Sequence, residues 1–350
     1  MRICIVWLLM ALAALAGTAQ SQEIVDLYSG IDSSDVTIDG DVAGYTLRLD
    51  LIWDGGVILT QNLKLDGPGI WIARWSPINP EKGSYDVCAT LMKEGTVVSK
   101  KCDTFFYGGI QPLRFSVRDF YADSRGMHLS MSTSDPTIVD IYYMLIQGSK
   151  AVYVTREQAV SIAGSFASTV QKDYEWKQIL ENNKEYTGRV KIVELNHNQT
   201  MAFMNSFRAL DDALITETYQ DETGASATVT GNSRVPFEGY LQFILSQKGI
   251  VLNITEKKTP VLLTGDDETV EISWNNTLSP GVYQLRTVLL GQGGMVKDLK
   301  ENVIEAKPIV RSNATETEKK APLPAGIAAV AMFIVAQLLN RRRRLLPLDT

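Results

Sequence analysis

The sequence predicts an all-β chain of three tandem β-sandwich modules, between an N-terminal signal peptide and a C-terminal transmembrane helix. Three observations in the 350 residues predict this arrangement. Landmark residues recur with a period of about one hundred residues, as in tandem arrays. The segments between the landmarks alternate apolar and polar residues, which is typical of half-buried strands. Apolar runs that match export and membrane-anchoring signals lie near both ends.

At the N-terminus, one positive charge at Arg2 precedes an apolar run from Ile3 to Ala16 and a stretch of small residues. This order is typical of a secretory signal peptide, and the run is short for a membrane-spanning helix. We therefore predict a cleaved signal peptide over residues 1–19, cut after Ala19, with Ser21 as the alternative. An uncleaved N-terminal anchor is the other interpretation.

A Trp and a Tyr nine or ten residues apart recur three times, as Trp75 and Tyr85, Trp176 and Tyr186, and Trp274 and Tyr283. Upstream, an aromatic residue closes a strand-like segment in VDLYSG, RDFYADS and TETYQDE. A glycine turn between apolar runs returns in LIWDGGVIL, LIQGSKAVYV and LSQKGIVLNI. Because all these landmarks keep their register, we predict modules at residues 20–110, 111–211 and 212–306.

Each module is predicted to be a β-sandwich. Segments such as GYTLRLDLIW and GVYQLRTVLL alternate apolar and polar residues, and strands recur every 8–12 residues between Gly, Pro or Asn. In LSPGVYQL a Pro-Gly turn feeds a strand whose Tyr follows at once, and GSYDVCATL and EYTGRVKIV fill the same place. This resembles the tyrosine corner of immunoglobulin-like and fibronectin-type-III-like sandwiches. The resemblance implies that the paired Trp and Tyr residues are core residues and not a carbohydrate-stacking platform, and it identifies a scaffold that many activities use.

The second module carries extra length in REQAVSIAGSFASTVQKDYEW. Ala159, Ile162, Ala163 and Phe166 fit a helical spacing better than an alternating one. We therefore expect a partly helical insert near residues 156–172 and regard it as the first candidate contact surface, because loops on rigid scaffolds often carry function. A neutral insertion packed on its own sheet is the alternative.

Cys88 and Cys102 are the two cysteines outside the signal peptide, and an even number in an exported chain favours a disulfide. A three-residue turn at residues 94–96 would place them opposite each other on neighbouring strands. Arg286 and Lys300 take the corresponding places in the third module, so the bridge would be a local staple. Two free thiols are the alternative.

Four N-glycosylation sequons occur, at Asn198, Asn253, Asn275 and Asn313. The carboxylates of DSSDVTIDGD are weak calcium candidates that match no EF-hand spacing, and they are Asp32, Asp35, Asp39 and Asp41. With only His128 and His197 in the chain and no hydrolase, nucleotide-binding or zinc-protease motif, we expect no enzymatic activity, no cofactor and no metal.

The C-terminal part of the chain is predicted to anchor it in a membrane. A polar stalk over residues 307–320 leads to an apolar segment at 321–340 and a basic tail at 341–350. The segment is long enough to span a bilayer, and Arg341, Arg342, Arg343 and Arg344 should stay cytoplasmic. PLPAG, the span and the arginines resemble the C-terminal sorting signals processed by archaeosortases, although the usual aromatic is missing and LLPLDT follows. An ordinary single span is the preferred interpretation.

The net charge of −6 for the whole chain becomes −10 for the exported part, because five arginines and one aspartate lie in the removed or cytoplasmic segments. An acidic ectodomain disfavours nucleic-acid binding. We therefore expect a single-pass cell-membrane protein with extracellular N-terminal modules that bind an unidentified protein or glycan in adhesion. An architectural or accessory subunit of an envelope complex is the second hypothesis, and an exported enzyme is the third.

A non-reducing peptide map of the protein from its own membranes tests this topology. We expect a chain that begins near Gln20, a peptide pair joined through Cys88 and Cys102, glycan on at least one sequon, and an intact 341–350 peptide. Loss of that last peptide would indicate processing by a sorting enzyme. A retained Met1 with free thiols would contradict export.

Overall fold

The described residues form three consecutive groups of seven β-strands. The structure, a computed structural model, describes residues 22–77, 79–108, 115–164, 169–196 and 199–307. Apart from one 3-10 turn at Gln292–Gly294, these residues contain no helix, so the predicted all-β class is confirmed. The several sheets are consistent with β-sandwich modules. We call the three groups module 1, module 2 and module 3.

Module 1 contains a three-stranded sheet in the order β1-β2-β5 and a four-stranded sheet in the order β4-β3-β6-β7. Its strands are β1 (Glu23–Ser29), β2 (Ser33–Asp39), β3 (Thr46–Trp53), β4 (Gly56–Lys64), β5 (Gly69–Arg74), β6 (Gly83–Lys93) and β7 (Thr96–Tyr107).

Module 2 has the same plan, with a three-stranded sheet β12-β9-β8 and four strands in the order β11-β10-β13-β14. Its strands are β8 (Phe115–Ala122), β9 (Gly126–Thr133), β10 (Thr137–Gln147), β11 (Lys150–Ile162), β12 (Val170–Glu175), β13 (Glu185–Glu194) and β14 (Gln199–Arg208).

Module 3 repeats the plan once more, with sheets β15-β16-β19 and β18-β17-β20-β21. Its strands are β15 (Ala213–Gln220), β16 (Gly224–Gly231), β17 (Tyr240–Gln247), β18 (Ile250–Lys258), β19 (Asp267–Ser273), β20 (Gly281–Leu290) and β21 (Val296–Ala306).

Each module has its own hydrophobic core between its two sheets. In β3, Leu47, Leu49 and Leu51 alternate with polar residues and are fully buried. Burial of each such side chain contributes about 1.5–3 kcal/mol. Val36 and Ile38 of β2 approach the same core from the opposite sheet. The period-2 pattern of the sequence therefore selects one inward face on each sheet.

The recurring Trp and Tyr residues lie in these cores. Trp75, Trp176 and Trp274 each follow the last strand of a three-stranded sheet and are buried. The Tyr85 hydroxyl donates to the Glu81 carbonyl at 2.8 Å, and the Tyr283 hydroxyl donates to the Ser279 carbonyl at 2.9 Å. Both bonds run back to the residue four positions upstream, as in a tyrosine corner.

In module 2 the corner is a variant. The Tyr186 hydroxyl accepts a hydrogen bond from the Glu181 backbone N–H at 3.3 Å. The ring remains buried and packs 6.1 Å from the ring of Phe207.

Tight hairpins with an adjacent bulge connect several strands. Between β6 and β7, Glu94 and Gly95 both have positive φ, at 49° and 83°, and form a two-residue turn. A bulge between Leu91 and Met92 then restores the register that places Cys88 opposite Cys102. The predicted register is therefore correct, but the predicted three-residue turn is wrong. The same combination of a two-residue turn and a bulge occurs at Asp54-Gly55 and at Lys248-Gly249. Such turns match the twist of paired strands.

The predicted helical insert is wrong for the residues that the structure describes, since residues 156–162 continue β11 and 170–172 begin β12. A bulge opposite Asp140 explains the misleading spacing. Ala159 has φ 51°, its N–H donates to Asp140 Oδ1 at 2.8 Å, and Arg156 pairs with the same carboxylate. The extra residue reverses which side chains face inward, so the alternation in the sequence breaks there.

Modules 2 and 3 meet end to end. Val235, in the connection between β16 and β17, is buried in the core of module 2. The Arg234 N–H donates to the Ser124 carbonyl at 2.9 Å, and the Arg234 carbonyl accepts from the Leu180 N–H at 3.0 Å. This contact uses loops of both modules and does not involve the outer faces of their sheets.

The predicted signal peptide, sorting motif, transmembrane segment, arginine tail and almost all of the stalk lie outside the described residues. Within the described ranges, no helix has the length and apolar character needed to cross a membrane.

Candidate functional site at the joint of modules 1 and 2

Modules 1 and 2 share a continuous sheet. The strands β1-β2-β5 join β11-β10-β13-β14 through one pairing, between Trp71 of β5 and Lys150 of β11. The Ile72 N–H donates to the Ser149 carbonyl at 2.7 Å, so the β10–β11 turn bonds directly to module 1. The Lys150 ammonium lies 5.3 Å from the Trp71 ring centroid and 2.5 Å from Asp66 Oδ1.

Apolar side chains from the outer faces of the two modules form a fourth core cluster, separate from the three module cores. Ile72 of module 1 packs with Met144 and Ile146 of module 2, and all three are buried. Ile70 and Met204 border this cluster. These residues would face water if each module stood alone, so their burial stabilises the joint.

Beside the apolar cluster lies a buried ion cluster, which we define as Asp35, Arg189 and Lys191. Asp35 of β2 is 1% exposed, and Arg189 of β13 is fully buried. Asp35 Oδ1 accepts from Arg189 Nη2 at 2.6 Å, and Asp35 Oδ2 accepts from Lys191 Nζ at 2.6 Å. Arg189 also donates to the Ser33 hydroxyl. One carboxylate thus pairs with two cations that are buried away from water.

Two aromatic rings flank the ion cluster. The Tyr28 ring centroid lies 5.9 Å from Arg189 Cζ and 5.5 Å from Lys191 Nζ. The Tyr142 ring of β10 approaches Lys191 Nζ to 5.3 Å. The negative ring faces attract the cations, and this attraction grows where water is excluded. Burial raises the pKa of Tyr28 to about 12, although the Arg189 charge opposes that rise.

Next to the ion cluster, a cleft of about 610 Å³ opens between the modules. Its apolar floor includes Ile72, Ile146 and Phe207. Arg74 reaches across the cleft, bonds to the Thr187 hydroxyl, and donates to Ser206 Oγ at 3.1 Å.

The charges of the cleft are only partly paired. No carboxylate of the described residues lies at ion-pair distance from Arg74. Arg208, on the same rim, pairs with Glu185 at 3.8 Å, and both side chains are largely exposed. The cleft therefore combines an unneutralised guanidinium, hydroxyl groups and apolar surface.

Alternation alone did not predict the joint, because it assigns Asp35, Arg189 and Lys191 to solvent-facing positions. A signal was nevertheless present in β10. Its segment TIVDIYYMLIQ has consecutive apolar residues, and Tyr143, Met144, Leu145 and Ile146 are all buried. Strands buried on both faces have such continuous apolar runs.

The predicted calcium candidates do not come together as a metal site. Asp35 is engaged by two cations, and Asp41 is exposed. The Asp39 carboxylate accepts from the Gly40 N–H at 2.8 Å, and the Asp32 carbonyl accepts from the Trp75 N–H at 2.8 Å. Among the described residues, no group of three His, Cys, Asp or Glu side chains could hold a metal ion.

A disulfide joins Cys88 and Cys102 on neighbouring strands of module 1. In module 3 the longer β20–β21 connection shifts the register, so Arg286 faces Glu301, and Lys300 faces Thr287.

Of the sequon asparagines, Asn275 is exposed, whereas Asn253 is half-buried in β18 and donates to Thr255 Oγ1 at 3.3 Å. Asn198, Asn313 and His197 lie outside the described residues.

His128 lies on the outer face of the three-stranded sheet of module 2. Its Nδ1 lies 2.6 Å from Asp173 Oδ1, and the Tyr121 ring stacks on it at 5.0 Å. This pair, with Arg125 and Glu175, lines a shallow pocket of about 230 Å³.

The comparisons with known proteins leave the family open. No protein-family model matches the chain, and no curated protein matches it. Among solved structures, the chain is similar to a tetra-tandem repeat in the extending region of a large adhesion protein, with 11% identity, 83% of this chain and 75% of that chain covered, and a TM-score of 0.24. Trypsin-activated alpha-2-macroglobulin from Escherichia coli shows 10% identity over 84% of this chain and 23% of that chain, with a TM-score of 0.23.

Latent PorU from Porphyromonas gingivalis shows 13% identity over 83% of this chain and 33% of that chain, with a TM-score of 0.22. TM-scores at this level carry no argument about fold or function. The evidence for the architecture is therefore the strand pairing of the chain itself.

The ion cluster gives a direct test by Asp35→Asn. This change leaves two buried cations without their carboxylate, which costs about 3–5 kcal/mol in comparable buried pairs. We expect the joint to open while the three module cores remain folded. Hydrogen exchange of the Ile72 amide, whose bond crosses the joint, should accelerate strongly.

The matched control is Asp41→Asn, which changes an exposed carboxylate near the same sheet and should leave Ile72 exchange unchanged. Equal Ile72 exchange in the wild type and Asp35→Asn would contradict the role given to the ion cluster.

Proposed function

We propose that the protein is a membrane-anchored extracellular binding or adhesion protein without catalytic activity, and that it contacts its partner through the cleft of modules 1 and 2. The observation that carries this proposal is Arg74. Its guanidinium lines the cleft together with apolar side chains and bonds to two hydroxyls, and no carboxylate of the described residues lies at ion-pair distance from it. A partially hydrated cation of this kind favours a partner that supplies an anion.

The scaffold supports this proposal. We propose that each module is an immunoglobulin-like or fibronectin-type-III-like sandwich, on the basis of its three-plus-four strand plan and the tyrosine corners at Tyr85 and Tyr283. Such scaffolds present binding surfaces at loops and sheet faces. The Cys88–Cys102 disulfide fits an exported chain.

The expected partner is a protein or glycan that carries carboxylate or sulfate groups. Arg74 and Arg208 on the rim would bind the acidic groups, and Ile72 and Phe207 would contact apolar atoms of the partner. We expect this partner outside the cell, because the apolar segment at 321–340 and its arginines would hold the modules on the extracellular side.

An architectural subunit is the second candidate, and a surface of module 3 favours it. The edge strand β18 exposes Ile250, Val251, Leu252 and Ile254. Among the described strands, β18 has a neighbour on one side only, and natural proteins usually protect such an apolar edge. A subunit that packs against other envelope components would use this strip.

Binding of the full chain in detergent micelles to immobilised envelope material of its own cells tests the first proposal. We expect Arg74→Glu and Arg208→Glu each to weaken binding about tenfold or more, because a hydrogen bond to a charged group contributes about 1.5–3 kcal/mol. Arg208→Glu leaves the bonds of Arg74 to module 2 intact, so it separates loss of contact from loosening of the joint.

Arg48→Glu is the matched control, since Arg48 is an exposed arginine on a different sheet of module 1. Absence of binding by the wild type would contradict the adhesion function. Undiminished binding by both cleft variants would show that the contact lies elsewhere.

A further inference from the structure

The joint between modules 1 and 2 is formed by two sheet faces. Module 2 carries an equivalent of the module 1 face, module 3 carries an equivalent of the module 2 face, and both equivalents are exposed. Strand pairing identifies equivalent positions without reference to sequence similarity. In module 2 Arg189 pairs across the sheet with Met144, and in module 3 Arg286 pairs with Ile244. Each arginine stands three residues after its corner tyrosine, so Arg286 occupies in module 3 the place that Arg189 occupies in module 2.

The same comparison identifies the other half of the joint. In module 1 Tyr28 pairs with Asp35, and in module 2 Tyr121 pairs with His128. His128 therefore takes the place of Asp35, and Asp173, which pairs with His128 as Ile72 pairs with Asp35, supplies a carboxylate on the neighbouring strand. The outer face of the three-stranded sheet of module 2 thus offers an aromatic ring and a carboxylate, which are the two groups that hold Arg189 in the observed joint.

Both counterparts are open to solvent. The Asp173 side chain is 78% exposed and that of Arg286 is 54% exposed. Around Arg286, the four-stranded sheet of module 3 also exposes Ile254, Val282 and Val303. In module 2 the corresponding face carries Met144 and is covered by module 1.

The edge strands extend this correspondence. In the observed joint, β11 pairs with β5 through Lys150, the first residue after its hairpin turn. The equivalent residue of β18 is Ile250, which is 68% exposed. The strand equivalent to β5 is β12, which carries Asp173 and is an edge of its sheet. In the part of the chain that the structure describes, modules 2 and 3 therefore each have an unpaired edge strand at the position where modules 1 and 2 pair.

We propose that a second copy of this chain joins the two faces, so that the Arg286 face of module 3 in one copy docks on the Tyr121–Asp173 face of module 2 in another. The end-to-end contact at Val235 leaves both faces exposed within one chain. Because the two faces differ, the contact is heterologous and yields either a closed dimer with two such joints or a longer chain of copies. This surface is separate from the Arg74 cleft, so the binding function and self-association fail independently.

Charge exchange between copies tests the contact. The full chain in detergent micelles is measured by sedimentation equilibrium as wild type, as Asp173→Arg and as Arg286→Asp. We expect concentration-dependent self-association of the wild type, which weakens about tenfold or more in each single variant. An equimolar mixture of the two variants should associate again, because the introduced arginine of one copy then meets the introduced aspartate of the other.

Arg48→Asp is the matched control, since Arg48 is also exposed and also pairs with a carboxylate of its own sheet, Asp50. It should leave association unchanged. A monomeric wild type at all concentrations would overturn the proposal. So would association that Arg286→Asp weakens but Asp173→Arg does not, which would indicate pairing between two module 3 faces. Failure of the mixed variants to associate would also overturn it.

Discussion

Two buried cations share one carboxylate at the joint of modules 1 and 2, and the arrangement of this half of the molecule depends on that constraint. Arg189 and Lys191 lie on a strand face that would be hydrated in an isolated module, and Asp35 arrives from the other module to pair with both. Removing ions from water is costly, and a buried pair need not add net stability. The buried pairing instead makes the arrangement of the two modules specific, because any displaced packing would leave at least one buried charge without a partner.

The other features of the joint accompany this pairing. The rings of Tyr28 and Tyr142 provide the only kind of apolar surface that also attracts cations. The apolar cluster of Ile72, Met144 and Ile146 excludes water beside the ions. The cleft at Arg74 shares Ile72 and Ile146 with this cluster. The cleft is thus a product of how the modules are fixed, and its shape depends on the same residues that fix them.

The sequence predicted the local structure better than the contacts between modules. Period-2 alternation and Gly turns predicted strands such as β3 and the Cys88–Cys102 register, because both are determined by neighbours along or across one hairpin. Alternation divides residues between two faces, but it does not show what covers the outer face, so the sequence offers Asp35 only as a weak calcium candidate. The continuous apolar run of β10 was the available signal. The helical insert was wrong because the bulge at Ala159 interrupts alternation without ending the strand.

Repetition of one scaffold also explains the surfaces that remain open. The arginine three residues after the corner tyrosine occurs in modules 2 and 3, but among the described residues a covering sheet is present only for module 2. Arg286 instead pairs with Glu301 of its own sheet, at 2.9 Å, and its side chain remains 54% exposed. The same position holds Cys88 in module 1, where the disulfide takes its place. The same structural position therefore holds a disulfide cysteine in module 1, a buried arginine of the joint in module 2 and an exposed arginine in module 3.

We expect the ion cluster to make modules 1 and 2 one rigid body. The most direct measurement is the distribution of distances between spin labels at Asn62→Cys in module 1 and Gln158→Cys in module 2, obtained by double electron–electron resonance on the full chain. Both positions are exposed. We predict a single narrow peak, as for two sites within one folded body. A broad or multi-peaked distribution would contradict the claim, because it would show that the modules move against each other despite the shared carboxylate.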